Sequence, residues 1–122
     1  MARILVVEDD VLVGRMVSRL MGTQHEVTVL HDVEVALELS KMEEFDLVVA
    51  DIVMPRKTGI DLYAAFVARG QANRIVFLTG AALSEKVRDF LSSVPNKWLE
   101  KPCSREALLE LVNTELARLS PA

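Results

Sequence analysis

A chain of 122 residues with one cysteine, Cys103, cannot close an internal disulfide. That suits a reducing compartment. Long apolar runs are missing too: no stretch approaches the ~20 residues of a membrane-spanning helix. The opening MARILVVEDD offers only Ile4-Leu5-Val6-Val7 before its acids begin, too short for the apolar region of a secretory signal. A soluble cytoplasmic protein without a membrane role is expected. Positive charge is in deficit, with 14 Lys+Arg against 18 Asp+Glu and a net charge of −4. Nucleic-acid binding needs a basic face, so no nucleic-acid partner is expected. There is no internal repeat and no low-complexity segment. Neither GxxxxGK[ST] nor GxGxxG follows any apolar run, which argues against a nucleotide-binding domain.

What remains is ordinary globular composition, 51% apolar and 26% charged. A chain of this length buries roughly two thirds of its unfolded surface, enough for a core without staples. One compact domain over residues 1–122 is expected.

Short apolar runs alternate with helical patterns five times. Residues 4–7 read as a strand buried on both faces. Val13, Met16, Val17, Leu20 and Met21 then recur at helical spacing, with Gly14 inside the helix and Gly22 as its stop. Residues 26–30 alternate like a strand near an edge. Asp32 caps a helix over 33–42 with Ala36, Leu39 and Val35 inward. Residues 47–50 are a third strand ending at Asp51, and Pro55 breaks the chain after it. The pattern predicts a helix over 59–69 with Ile60, Tyr63 and Val67 on one face. Residues 75–78 are the fourth strand. Ser84 caps a helix carrying Leu83, Val87, Phe90 and Leu91. Trp98-Leu99 opens a short fifth strand, and Ser104 caps a last helix with Ala107, Leu108, Leu111, Val112 and Leu119 in register.

Five β-α units in succession give an α/β fold, a parallel five-stranded sheet between two helical layers. The five-strand form common among such three-layer sandwiches is the flavodoxin-like (βα)5 arrangement, order 2-1-3-4-5. That order is taken over from the fold class rather than read from the residues. Ligands in these folds sit beyond the carboxyl ends of the strands, where strands 1 and 3 meet.

Strand 1 ends in Glu8, Asp9 and Asp10, strand 3 in Asp51, strand 4 in Thr79 and strand 5 in Lys101. Carboxylates gathered in one crevice repel each other, and burial makes that worse. A hard divalent cation removes the conflict; Mg2+ suits it, because it takes one or two carboxylates, keeps waters and also binds phosphate oxygens. Asp51 then reads as a nucleophile, Lys101 as a fixed positive charge and Thr79 as a hydroxyl donor, which is what phosphoryl transfer asks of a protein. Singly, each residue has a plainer reading. Asp10 is better read as a helix cap than as a ligand. Thr79 could be a turn residue and Lys101 a solvated charge. It is the convergence of strand ends that carries the chemistry.

The set ILVVEDD, DLVVADIVMPRKTGIDL, IVFLTG and LEKPC resembles the receiver domain family of two-component response regulators, over essentially the whole chain. The resemblance implies Asp51 as phospho-acceptor. It implies Asp9 as a direct Mg2+ ligand, Glu8 acting through water, and the Val53 carbonyl as a further ligand. Thr79 and Lys101 would hold phosphoryl oxygens, and Lys101-Pro102 would be cis. Trp98 falls at the family's aromatic switch position, where a ring moves inward together with the hydroxyl residue. Trp98 is bulkier than the Tyr, Phe or His usual there. Cys103 stands where Phe is common and reads as a small packing residue. Val53 replaces the polar residue some members carry, and bears on acyl-phosphate lifetime. His25 and His31 flank strand 2 and are read as lying far from the crevice, without metal-ligand spacing.

The resemblance also implies a signalling phospho-acceptor rather than an enzyme, with slow self-dephosphorylation at most. A phosphatase of the haloacid dehalogenase type would need a second Asp where Val53 stands. The implied partners are a sensor histidine kinase or histidine phosphotransfer protein, a downstream effector, and a phosphorylation-dependent second copy. About twenty residues follow Lys101, leaving no room for a DNA-binding output domain within this chain. It would be a stand-alone regulator or the receiver of a larger protein. The stretch from FLTG to LEKPC is similar to receivers at the C-terminus of hybrid histidine kinases.

Overall fold

Five strands run parallel: β1 (Arg3–Val7), β2 (Glu26–Leu30), β3 (Leu47–Asp51), β4 (Ile75–Thr79) and β5 (Trp98–Glu100). Helices α1 (Val11–Met21), α2 (Val33–Met42), α3 (Gly59–Ala68), α4 (Glu85–Ser93) and α5 (Arg105–Leu119) connect and follow them, with a short 3-10 turn, Ala72–Arg74, before β4. This computed structural model describes residues 1–54, 57–80 and 84–119. The sheet order is β2-β1-β3-β4-β5, as expected for the flavodoxin-like class. The register pairs Val7 with Ala50 and Asp51 with Leu78, which sets the ends of β1, β3 and β4 side by side.

Alternate strand residues face two cores. One, with Leu5, Val7, Val48, Ala50, Ile75 and Phe77, is covered by α2, α3 and α4. The other, with Ile4, Val6, Leu47, Val49, Val76 and Leu78, is covered by α1 and α5. The three central strands are therefore apolar on both faces, with Arg3, Asp51 and Thr79 only at their ends, as a doubly covered parallel sheet requires. Edge strand β2 is only partly buried.

The caps fall where the sequence puts them. Asp10 accepts from the amides of Leu12 and Val13, Asp32 from Glu34 and Val35, Ser84 from Val87, and Ser104 from Ala107. Thr58 and Asp61 add a reciprocal capping box at the start of α3. Pro55 and Leu83 lie outside the described residues.

Several helix faces differ from the pattern reading, α5 among them, which buries Leu109 and Glu115 beside Leu108 and Val112. In α1 the buried residues are Gly14, Val17 and Met21, while Met16 is exposed. In α2 Val33 and Ala36 are buried, Leu39 packs against the core, and Val35 is exposed. In α3 the buried set is Gly59, Leu62 and Phe66; Ile60 and Tyr63 flank it, and Val67 points outward. The cause is clearest in α3. A segment such as GIDLYAAFVA is apolar nearly all round, so periodicity leaves its rotation open, and packing against the sheet, with close backbone approach at a glycine in α1 and α3, decides it.

Candidate functional site

The turn after β1 carries Glu8 and Asp9, and its backbone is anchored to the end of β2. The Glu8 amide donates to the Leu30 carbonyl at 3.0 Å, and His31 Nδ1 lies 2.8 Å from the Glu8 carbonyl oxygen. The Glu8 side chain is 3% exposed, with Oε2 accepting from the Asp10 amide at 3.2 Å. Asp10 turns away to cap α1, as the plainer sequence reading had it.

Asp51 ends β3 and is buried. Its Oδ1 accepts from the Val53 amide at 3.1 Å, and Val53 itself is exposed. The backbone under Asp51 is seated directly on α3. The Gly59 amide donates to the Ile52 carbonyl, and a Cβ built on Gly59 would stand 2.5 Å from the Asp51 carbonyl oxygen and 2.9 Å from Ile52 Cα. Only glycine fits there. The sequence signal, a glycine opening an apolar helix, was legible only as a helix start.

Lys101 comes from the far side of the sheet. Its amide donates to the Thr79 carbonyl, and its ammonium reaches Glu8 Oε1 at 2.6 Å and Asp51 Oδ2 at 3.1 Å. The Lys101–Pro102 peptide is cis. Thr79, at the end of β4, is buried and lies one position beyond Leu78, the register partner of Asp51. Trp98 pairs with Phe77 in the β4–β5 register. Phe77 sits in a T-shaped contact with Phe90 and a tilted one with Tyr63, whereas Trp98 on the edge strand is half-exposed.

Glu8, Asp9 and Asp51 each offer a carboxylate oxygen, and these atoms lie within 4.8 Å of one another. Burial, reinforced by the hydrogen bond and charge of Glu8, holds the Asp9 carboxyl above its ordinary pKa. For Lys101 burial pulls the other way, but the hydrogen bonds and charges of Glu8 and Asp51 outweigh it and leave the ammonium above its ordinary value. Three carboxylates thus gather here, two of them on the Lys101 ammonium, an excess of negative charge from hard oxygen donors. That donor set fits a magnesium-like cation. Sulfur or imidazole donors, which would favour zinc, are not among the three.

His31 does not lie far from this crevice. It lines a small cavity with Asp9, Met54 and Lys57, because β2 ends level with the acidic turn. His25 does sit at the opposite end of the sheet, between the Ala2 amide and Asn113 of α5. Cys103 packs against the α1–α5 core, and burial raises its thiol pKa. No described helix is long and apolar enough to cross a membrane.

The family model of the response regulator receiver domain matches residues 4–113. Among curated proteins, the response regulator MprA of Mycobacterium avium is 31% identical over 121 residues, covering 98% of this chain and 53% of its own length. The Mycolicibacterium vanbaalenii MprA is 32% identical, also over 121 residues, covering 98% of this chain and 52% of its own length. The chain therefore spans about half the length of the curated relatives it matches. Among solved structures, the receiver domain of the Francisella response regulator 1452 superposes with a TM-score of 0.85 at 25% identity, covering 98% of this chain and 100% of that one. The Vibrio cholerae chemotaxis protein CheY4 superposes at 0.81 with 28% identity, covering 93% and 98% respectively. With its strand order, its acidic crevice and these matches together, the chain belongs to the response regulator receiver domain family of two-component signalling.

Proposed function

We propose that Asp51 accepts a phosphoryl group from a phosphohistidine on a sensor histidine kinase or a histidine phosphotransfer protein. The observation that carries this reading is the meeting of Glu8, Asp9, Asp51 and Lys101, from the ends of three strands, around one carboxylate. An Asp51 carboxylate oxygen attacks phosphorus. The P–N bond breaks, its electron pair leaves with the imidazole nitrogen, and an acyl phosphate remains on Asp51.

Most of the catalysis is positioning. The Val53 amide holds Asp51 Oδ1, which leaves a fixed orientation for the attacking group. The Lys101 ammonium, already at Asp51 Oδ2, is placed to take a phosphoryl oxygen as charge builds there. Thr79, at the neighbouring strand end, supplies a hydroxyl for another. Asp9 and Asp51 would hold Mg2+ directly, with Glu8 through water and the Val53 carbonyl as a further donor. When bound, the cation offsets the negative charge that three carboxylates and a phosphoryl group bring together.

The protein acts in this reading as a phospho-acceptor in signalling and not as a turnover enzyme. Val53 stands where a phosphatase of similar chemistry would carry its general acid, so loss of the acyl phosphate is slow. The output is a change in the α4–β5–α5 surface around Trp98, read by an effector protein or by a second phosphorylated copy. Thr79, drawn toward the phosphoryl group, is the residue through which β4 and β5 would feel the change.

Incubation with Mg2+ and acetyl phosphate, followed by intact mass, tests the assignment. One base-labile phosphoryl adduct is expected, absent in Asp51→Ala. An adduct that persists in Asp51→Ala overturns it.

A further inference from the structure

We propose that His31 is a positioning residue for the acidic crevice, acting through its Nδ1–H on the Glu8 carbonyl; this rests on the metal role assigned above to Glu8 and Asp9. The carbonyl oxygen can only accept, so the 2.8 Å contact requires the proton on Nδ1. That carbonyl belongs to the peptide unit joining Glu8 to Asp9. Its plane sets the direction in which the Asp9 side chain leaves the backbone.

The same turn is held from its other side by the Glu8 amide on Leu30, one residue before His31. Both peptide units flanking Glu8 are thus fixed to the end of β2. The end of β2 that carries His31 lies against α1. A Cβ on Gly14 would stand 3.0 Å from Val29 Cγ1, so the bare helix backbone lets β2 come this close, and would make an ordinary contact with His31 Cε1 at 3.5 Å. The ring also lines the cavity of about 120 Å³ that it shares with Asp9. The Glu8 carboxylate is already held by Lys101 and the Asp10 amide. What holds the Glu8 carbonyl, beside that carboxylate's own bond to the turn, is the His31 ring. Outer groups that orient first ligands set metal affinity in this way.

The test uses the intact chain and Mg2+ itself. His31→Phe keeps the ring and removes the donor; His31→Asn sets a side-chain N–H where Nδ1 stands. Titration calorimetry should show Mg2+ binding weakened about fivefold in His31→Phe, the worth of one hydrogen bond. Binding should return to within about twofold in His31→Asn. In metal-free buffer, amide exchange at Glu8 and Asp10 should quicken in His31→Phe and not in His31→Asn. Ring nitrogen spectra of the wild-type chain should place the proton on Nδ1. Unchanged Mg2+ affinity and exchange in His31→Phe overturn the proposal. Equal losses in both variants also overturn it, because ring bulk rather than the donor would then matter, and so does a proton on Nε2. A wild-type chain that binds no Mg2+ defeats the metal assignment instead, while the exchange and ring spectra still decide the role of His31.

Discussion

Lys101 Nζ stands 2.6 Å from Glu8 Oε1, a contact between residues 93 positions apart that closes the crevice from the far side of the sheet. Its second partner, Asp51 Oδ2, is 3.1 Å away, and both carboxylates are almost wholly buried. One ammonium therefore neutralises two acids that water barely reaches.

Replacing it leaves both acids unpaired. Lys101→Met should cost about 3 kcal/mol of stability at pH 7 in urea titrations with a chelator present, because removing one partner strands the others. The deficit should shrink in acid, where stranded carboxylates protonate. The wild type has the opposite dependence at high pH. A lysine whose folded pKa is raised above its unfolded value stabilises fully below that unfolded value and loses the contribution as pH climbs through the folded one. The urea midpoint of the wild type should thus fall above pH 10.5, the ordinary lysine value, more steeply than that of Lys101→Met.

Asp9 shows the reverse effect. Its carboxyl is raised, so its ionisation is disfavoured in the folded chain and stability is lost as pH rises from the ordinary carboxylate value of 3.8 through the folded one. Asp9→Asn should therefore stabilise the metal-free protein at pH 7. The gain should be only about a few tenths of a kcal/mol, because Asp9 is the most open of the three acids and water screens it. The same change should remove most of the rise in melting temperature that Mg2+ gives the wild type. A large Mg2+ shift retained in Asp9→Asn would remove Asp9 from the ligand set.

Gly59→Ala should be severe for so small a change. The new methyl would meet backbone, at 2.5 Å from the Asp51 carbonyl oxygen, and backbone does not step aside as a side-chain tip does. A loss of about 2 kcal/mol or more is expected from overpacking alone. Phosphoryl adduct formation should also slow, since the strand end that presents Asp51 must shift. An adduct rate equal to that of the wild type would show that the Asp51 side chain is set independently of α3.

Trp98 is the sole tryptophan and sits half-exposed on the edge strand, so its emission reports one place. Beryllofluoride with Mg2+, an acyl-phosphate mimic, should alter its intensity or wavelength, and Asp51→Ala should abolish the change. An unaltered spectrum would take the switch role from Trp98 without touching Asp51.

The strands and caps were legible because each is specified locally. A short run such as LVVA, apolar at every position and bounded by acids, reads as a strand buried on both faces, with no rotation left to choose. Asp10, Asp32, Ser84 and Ser104 each bond within their own first turn. Helix rotation was less legible. Met16 and Val67 satisfied helical spacing yet face outward, while Gly14 and Gly59, invisible to a hydrophobic count, lie at close contacts. In the site, charged residues at strand ends announced themselves. His31 did not, because its link to Glu8 runs through a backbone carbonyl, a group every residue has, and only the register of β1 with β2 brings the two together.

The reach of Lys101 across the sheet also orders events during synthesis. Glu8, Asp9 and Asp51 leave the ribosome long before residue 101, and until β5 is laid down against β4 these acids have no counter-ion from Lys101. A nascent molecule lacking its last β-α unit would carry Asp51 but not Lys101. The pairing of Lys101 with Glu8 and Asp51, on which the proposed acceptor role draws, is thus completed only near the end of this domain's synthesis.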